Sequence, residues 1–408
     1  MRFIFLFSFL VTTVFAFAQR NCGTALYAAR FENAIVVQQN NNSNHRDTIQ
    51  DEILTIPVVV HVLYNNNAQN ISDAQIISQI DVLNEDFRRM NADANNTPEA
   101  FKAHAADAKI MFCLAQINPE GYAAKGIIRK YTSTRVFDVN DAMKYNAAGG
   151  DNAWNSKKYL NIWICNMGSN AIGYASQPGG QADRDGVVIQ YNAFGRIGSL
   201  MPNFNKGRTA THEIAHWLGL RHIWGDNECG NDGINDTPQQ AFYNNNCPSF
   251  PSISSCSPDN NGDMFMNFMD YTNDACMNMF THGQKIKMRG QFAINGPRNS
   301  FMNSFACDSS MATAAPLPDD TITAVKTIAP SFKIYPNPAF SELNIEGLNG
   351  FDLKGQALKI YNATGVLHFS KSNLSSLENI NISHLNSGVY FVSIISGKDR
   401  KILKLIKH

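Results

Sequence analysis

Residues 211–222 read Thr-His-Glu-Ile-Ala-His-Trp-Leu-Gly-Leu-Arg-His. His212 and His216 stand four residues apart, so on a helix they share one face and both imidazoles reach one ion. Glu213 is one step round that helix, close enough to address a metal-bound water without being a ligand. Gly219 accepts a backbone conformation that other residues resist, and a sharp turn there brings His222 back as a third ligand. Three neutral imidazoles suit zinc and leave a fourth position open to water. Zinc lowers the pKa of that water towards ~7. Glu213 then accepts its proton as it attacks a peptide carbonyl and hands the proton to the leaving amine. The competing view is three histidines that satisfy ordinary surface or core hydrogen bonds. A bare His-Glu-x-x-His pair arises by chance on helices; Gly219 and His222 make the metal centre much more specific.

Such a helix needs a sheet behind it. Ile56-Pro57-Val58-Val59-Val60-His61-Val62-Leu63-Tyr64 is a β-branched run that predicts a buried strand, ended by Asn65-Asn66-Asn67. Ser72 caps a helix running to about Met90, with Ile76, Ile80, Leu83 and Phe87 on one face. Residues 109–117, 159–165 and 186–191 read as further strands. The expected fold class is α+β: a twisted mixed sheet with an active-site helix, followed by a small C-terminal β-sandwich.

A length of 408 residues predicts two or three units. Residues 1–18 read as a secretory signal: Arg2, an apolar run from Phe3 to Phe17, then Ala16-Phe17-Ala18 ahead of the cut. The run falls short of the ~20 residues a bilayer span needs, and no later segment is long and apolar enough for one. Residues 19–52, polar and Asn/Gln-rich, form a mobile pro-segment. Residues 53–306 form the catalytic domain and 307–330 a linker. Residues 331–408, short strands split by Gly, Asn and Ser turns, form the sandwich. The 34 basic and 34 acidic residues cancel, so charge gives no reason to expect nucleic acid.

The motif and its surroundings resemble the metzincin metallopeptidases, and within them the pappalysin family, over roughly residues 53–306. Asn267-Phe268-Met269-Asp270-Tyr271 resembles the family's Met-turn. The resemblance implies that Met269 is an apolar floor beneath the ligands and that the Tyr271 hydroxyl stabilises the oxyanion on the scissile carbonyl. Gly173-Tyr174-Ala175 and Pro178-Gly179-Gly180 resemble the strand bordering the substrate cleft. Of eight cysteines, the resemblance implies the pairs Cys229–Cys256 and Cys247–Cys276. Cys113, Cys165 and Cys307 are left unpaired, with Cys165 read as a buried thiol. Residues 232–238 crowd hard oxygen donors into a turn, which suits calcium. Family members bind structural calcium nearby, and Asp232, the Ile234 carbonyl and Thr237 are the expected ligands. An Asx-rich turn without an ion is the alternative.

In a precursor of this family Cys22 acquires a mechanism, because its thiolate would occupy the water position on zinc and block attack. A disulfide with Cys307 or a free thiol are the alternatives. The family's preference for Arg or Lys just after the scissile bond makes His45-Arg46 a self-cleavage bond. It also makes Asp274 a candidate carboxylate of the specificity pocket, although the matching position is otherwise Ala275. Tyr335-Pro336-Asn337-Pro338, Gly388-Val389-Tyr390 and the lysine-rich last strand resemble a type IX sorting domain. That implies export across the outer membrane of a Gram-negative bacterium, with the secretion machinery as partner and a secreted or cell-surface destination. A carbohydrate-binding sandwich is the rival for this domain.

The expected function is a secreted zinc endopeptidase acting on protein and peptide substrates, made as a latent precursor. A non-catalytic adhesin with a structural zinc and a metal-dependent amidase are the competitors. Glu213 discriminates, since a structural zinc has no need of a general base and is closed by a fourth protein ligand.

Overall fold

The computed structural model describes residues 20–31, 52–168, 171–313, 332–348, 351–362, 367–396 and 399–408. The expected signal, the His45-Arg46 bond and most of the expected linker lie outside them. The chain divides into two compact units, Met1–Ala315 and Pro316–His408.

In the first unit β1 (Leu54–Tyr64) is the hub, buried along nearly its whole length. Its Ile and Val run fits a strand covered on both faces. Its first half pairs in parallel with β2 (Ile110–Leu114) and its second half with β3 (Ile127–Tyr131). The other edge pairs in parallel with β4 (Leu160–Cys165). β5 (Gly173–Ala175) runs antiparallel to β6 (Val187–Gln190), which pairs in parallel with β4, so the order is β2-β1-β4-β6-β5. β5 is therefore an edge strand.

Two helices on opposite faces of the sheet precede the zinc motif. α1 is Thr24–Phe31, and α2 is Asp73–Phe87, whose cap Ser72 accepts from the Gln75 amide at 3.1 Å. Ile76, Ile80, Leu83 and Phe87 of α2 are buried against the sheet, the face its spacing predicts. A short α3 (Glu99–Lys102) precedes α4 (Arg208–Trp217), in which every residue is buried. α5 (His282–Gly290) opens on a capping box between Thr281 and Gln284.

Three disulfides are present. Cys229–Cys256 and Cys247–Cys276 are the pairs the resemblance implies, and Cys113–Cys307 joins two cysteines that had no partner. Cys22 and Cys165 are free and buried, so the alternative of Cys22 bonded to Cys307 is overturned. The linker begins later than expected. Cys307 is bonded to β2, and the Thr313 amide donates to the Gly121 carbonyl at 2.9 Å, so residues 307–313 pack with the first unit. The expected mobile pro-segment also differs: residues 20–31 are docked, with α1 packed on the first unit.

The second unit is a small sandwich. One antiparallel sheet runs β10 (Leu367–Lys371), β9 (Ala357–Asn362), β12 (Gly388–Ser396), β13 (Asp399–Lys407). The other runs β11 (Leu377–Asn381), β8 (Glu342–Gly347), β7 (Phe332–Tyr335). Leu343, Ile345, Leu358, Ile360, Val392 and Ile394 meet in a core between them.

Candidate metal centre

α4 presents His212 and His216 from successive turns of one face. The helix stops at Leu218, and Gly219 follows with φ +88°. That left-handed conformation strains any residue with a Cβ, and a Cβ there would also lie 2.9 Å from the Gln291 side chain. The reversed chain delivers His222. The Cys22 Sγ and one nitrogen from each of His212, His216 and His222 all lie within 4.8 Å of one another.

The tautomers follow from the partners. His212 Nδ1 donates to the Phe268 carbonyl at 2.7 Å and His216 Nδ1 to the Leu220 carbonyl at 2.9 Å. His222 Nδ1 donates to the Asp226 carboxylate. Each Nε2 therefore carries a lone pair. Yet His216 Nε2 stands 3.1 Å from His212 Nε2 and 3.0 Å from His222 Nε2. Lone pairs so close repel, and a cation among them turns the repulsion into coordination. Burial, then its histidine neighbours, hold His212 well below the ordinary imidazole value, and His216 is held at about 3 for the same reasons. Neutral imidazoles are what a metal requires. The donor set thus fits a soft or borderline divalent ion such as zinc.

Glu213 is fully buried beside this cluster, and burial lifts its carboxyl to about 7. Its Oε2 accepts from the Thr24 hydroxyl at 2.9 Å and from the Cys22 thiol at 3.4 Å, while Oε1 has no partner. Gly173 explains how β5 comes so near: a Cβ there would lie 2.8 Å from Glu213 Cγ. Burial, then the Glu213 charge, push the Cys22 thiol upward, a cost that a bound cation reverses.

Residues 20–24 lie along the β5 edge. The Ile172 amide donates to the Asn21 carbonyl at 2.9 Å, and the Gly23 amide donates to the Gly173 carbonyl at 2.8 Å. The segment runs parallel to β5, as an added strand does. Arg20 goes into a buried slot, where Nη2 meets Asp274 Oδ1 at 2.5 Å and Nε donates to the Thr272 carbonyl at 3.2 Å. Asp274 Oδ2 accepts the Lys206 and Arg208 amides.

Met269 is fully buried in the core with Ile214, Ala215 and Leu218, and Asn267 Oδ1 accepts its amide. The Tyr271 ring stands 4.9 Å from that of His222, and its hydroxyl donates to the Cys22 carbonyl at 3.4 Å. Burial, then Cys22 and Glu213, push that hydroxyl's pKa upward. Away from this centre, Asp232 Oδ1 accepts from the Ile234 amide, and the Thr237 hydroxyl lies 2.9 Å from both Asp232 Oδ1 and the Ile234 carbonyl, with one proton to share between them. Asp232 Oδ2 is buried without a partner.

Sequence reasoning missed Arg20, Thr24 and Asp226. Asp226 follows His222 by only four residues, across a turn, and a carboxylate so near an expected histidine ligand was a usable signal. For Arg20 the signal was its place two residues before Cys22 in a chain expected to favour basic side chains.

A twisted mixed sheet, a helix carrying two histidines and a third histidine returned by a glycine turn define a metallopeptidase of the metzincin type. The comparisons agree. The pregnancy-associated plasma protein-A family matches residues 144–293. An extracellular metalloprotease of Arthroderma benhamiae is 30% identical over 284 residues, covering 66% of this chain and 89% of the relative. Mature mirolysin of Tannerella forsythia in complex with a cleaved peptide is 52% identical, with a TM-score of 0.61 over 65% of this chain and 99% of that one. A mutant of Tannerella forsythia promirolysin is 48% identical, with a TM-score of 0.66 over 72% of this chain and all of that one. The secretion system C-terminal sorting domain family matches residues 333–408. The chain belongs to the pregnancy-associated plasma protein-A family of peptidases. It is a secreted metalloendopeptidase with a catalytic metal and a sorting domain for the type IX route. No described helix is long and apolar enough to cross a membrane.

Proposed function

We propose that this chain is the latent precursor of a zinc endopeptidase, with the metal held by His212, His216 and His222. The convergence of three lone-pair-bearing Nε2 atoms carries this proposal. A zinc ion held there acts as a Lewis acid towards a peptide carbonyl and acidifies water. Glu213 accepts a proton from the attacking water at the carboxylate edge that Thr24 and Cys22 now cover, then delivers it to the departing amine. The Tyr271 hydroxyl, freed from the Cys22 carbonyl, donates to the oxyanion. Met269 packs beneath the histidines, and Asp226 orients His222.

Cys22 supplies the fourth ligand of the latent form. This distinguishes the site from a structural zinc site, because the closing ligand belongs to a removable segment. Asp274 forms the floor of a pocket for Arg or Lys on the primed side, a role supported by the Arg20 guanidinium it already holds. Cleavage at His45-Arg46 starts activation. A signal at 1–18 directs export, and the secretion machinery receives the C-terminal sandwich. A structural calcium at Asp232, the Ile234 carbonyl and Thr237 is supported by the partnerless Asp232 Oδ2.

The test is hydrolysis of a denatured protein by the self-processed enzyme. Chelation should abolish it and zinc restore it. Glu213→Ala, freed of its leader by added wild-type enzyme that is then removed, should lower kcat by at least about a hundredfold while zinc remains bound. Full activity in Glu213→Ala would overturn the mechanism.

A further inference from the structure

Tyr27 of α1 fills a slot on the other face of the sheet from the metal centre. Side chains alternate along β5. Gly173 faces Glu213, whereas Tyr174 packs with Trp163, Val188, Val139 and Met143 on the opposite side. Tyr27 is 1% exposed there. Its ring lies 5.0 Å from that of Tyr174, and its hydroxyl donates to Asp141 Oδ2 at 2.8 Å. Asp141 Oδ1 is already taken by the Tyr174 hydroxyl and by Lys144 Nζ, each at 2.8 Å. Lys144 is fully buried, and its ammonium stands 5.0 Å from the Tyr27 ring centre, with Trp163 and Tyr174 at similar distances. Arg184 approaches Asp141 Oδ2 at 4.0 Å from the rim.

The residues that line the slot, Leu63 and others between 137 and 188, belong to the catalytic unit, and only the occupant comes from the pro-segment. We propose that this slot is a tyrosine-recognising exosite, distinct from the metal centre. It anchors the pro-segment and, once that segment is gone, takes the tyrosyl side chain of a peptide laid over the β5 edge. The inference rests on the precursor reading above. The chemistry selects a phenol. One acceptor oxygen of Asp141 is left for one hydroxyl donor, and a buried ammonium meets an electron-rich ring face. Phenylalanine fills the space yet loses that hydrogen bond and leaves the buried oxygen only the Arg184 guanidinium at 4.0 Å, a mismatch that discriminates against it. Asp141 itself lies in the left-handed region at φ 63°, which aspartate adopts more readily than most residues.

The test uses the self-processed enzyme and a fluorescent peptide copying residues 24–31, which lacks both Arg20 and Cys22. Anisotropy should show saturable binding that survives removal of zinc. The Tyr27→Phe peptide should bind about tenfold more weakly, and the Tyr27→Ala peptide should not bind. Lys144→Met in the enzyme should weaken the parent peptide. In the full chain, Tyr27→Phe should speed labelling of the Cys22 thiol. Absence of saturable binding, or equal binding of the Tyr27→Ala peptide, would overturn the exosite whatever becomes of Lys144→Met. A chain freed of its leader by an added protease that binds the peptide but hydrolyses nothing would sink the proteolytic reading and support the exosite. An active enzyme that ignores the peptide does the reverse.

Discussion

Replacing Arg20 with alanine should loosen the latent state without touching the metal. The Arg20 guanidinium is buried, bonded to Asp274 Oδ1 at 2.5 Å and to the Thr272 carbonyl at 3.2 Å, and lies 5.1 Å from the Phe204 ring. Alanine leaves Asp274 Oδ1 without its charged partner. Breaking a buried ion pair costs about 3–5 kcal/mol. Asp274 Oδ2 keeps the Lys206 and Arg208 amides, and water can enter the emptied slot, so the lower end applies. At about 3 kcal/mol the docked segment becomes roughly a hundredfold less favoured. The assay is the initial rate of Cys22 labelling by a neutral disulfide reagent, with Glu213→Gln in all arms to block self-processing. Cys165, also free and buried, gives the internal background. Labelling should rise by about two orders of magnitude in Arg20→Ala. Arg20→Lys should recover part of the loss, since an ammonium restores charge but not the planar fork. Asp274→Asn should make the Arg20→Ala effect small. Unchanged labelling in Arg20→Ala, or an equal effect with and without the Asp274 carboxylate, would refute the coupling of that pocket to latency.

Three further outcomes follow from other parts of the structure. Asp226→Asn, which weakens the partner of His222 Nδ1, should lower zinc affinity by about 10–100-fold in a chelator competition. Cys113→Ala removes a bond that closes a loop with a sequence separation of 194, and should cost about 3–5 kcal/mol in urea unfolding of the processed enzyme. Burial lifts Asp86 to about 7 from 3.8, against the pull of Arg208, so the folded state holds a proton that the unfolded chain has lost. Its contribution to stability is full below pH 4 and disappears as pH rises from about 4 to 7. Asp86→Asn should flatten that part of the stability–pH curve, and an unaltered slope in thermal melts would show that Asp86 is ionised throughout.

The parts of this molecule that could be foreseen share one physical property: their meaning is local. The spacing of His212, His216, Gly219 and His222 encodes a helix face and a turn, and the Ile and Val run of β1 encodes burial on both faces. Asp226 apart, what stayed hidden is held by contacts between distant residues. Arg20 finds Asp274 across 254 residues, and Tyr27 finds Asp141 across 114. Locally, residues 19–52 are Asn/Gln-rich apart from the apolar stretch at 24–31, which is too short to hold a helix by itself. Order in residues 20–31 comes from the catalytic unit: an unpaired β5 edge, a carboxylate in a slot, a carboxylate–ammonium pair among aromatic rings. β3 escaped notice for a related reason. Ile-Ile-Arg-Lys-Tyr is half exposed and lacks the alternation of a strand, and it is a strand because the second half of β1 offers it a free edge. The same asymmetry bears on how latency evolves. A leader whose order is imposed by the enzyme's own recognition sites needs only a few anchors, here Arg20, Cys22, Thr24 and Tyr27. Removing any one anchor should therefore cost the docked state in proportion to the buried polar group it uncovers, and not in proportion to the length of leader it belongs to.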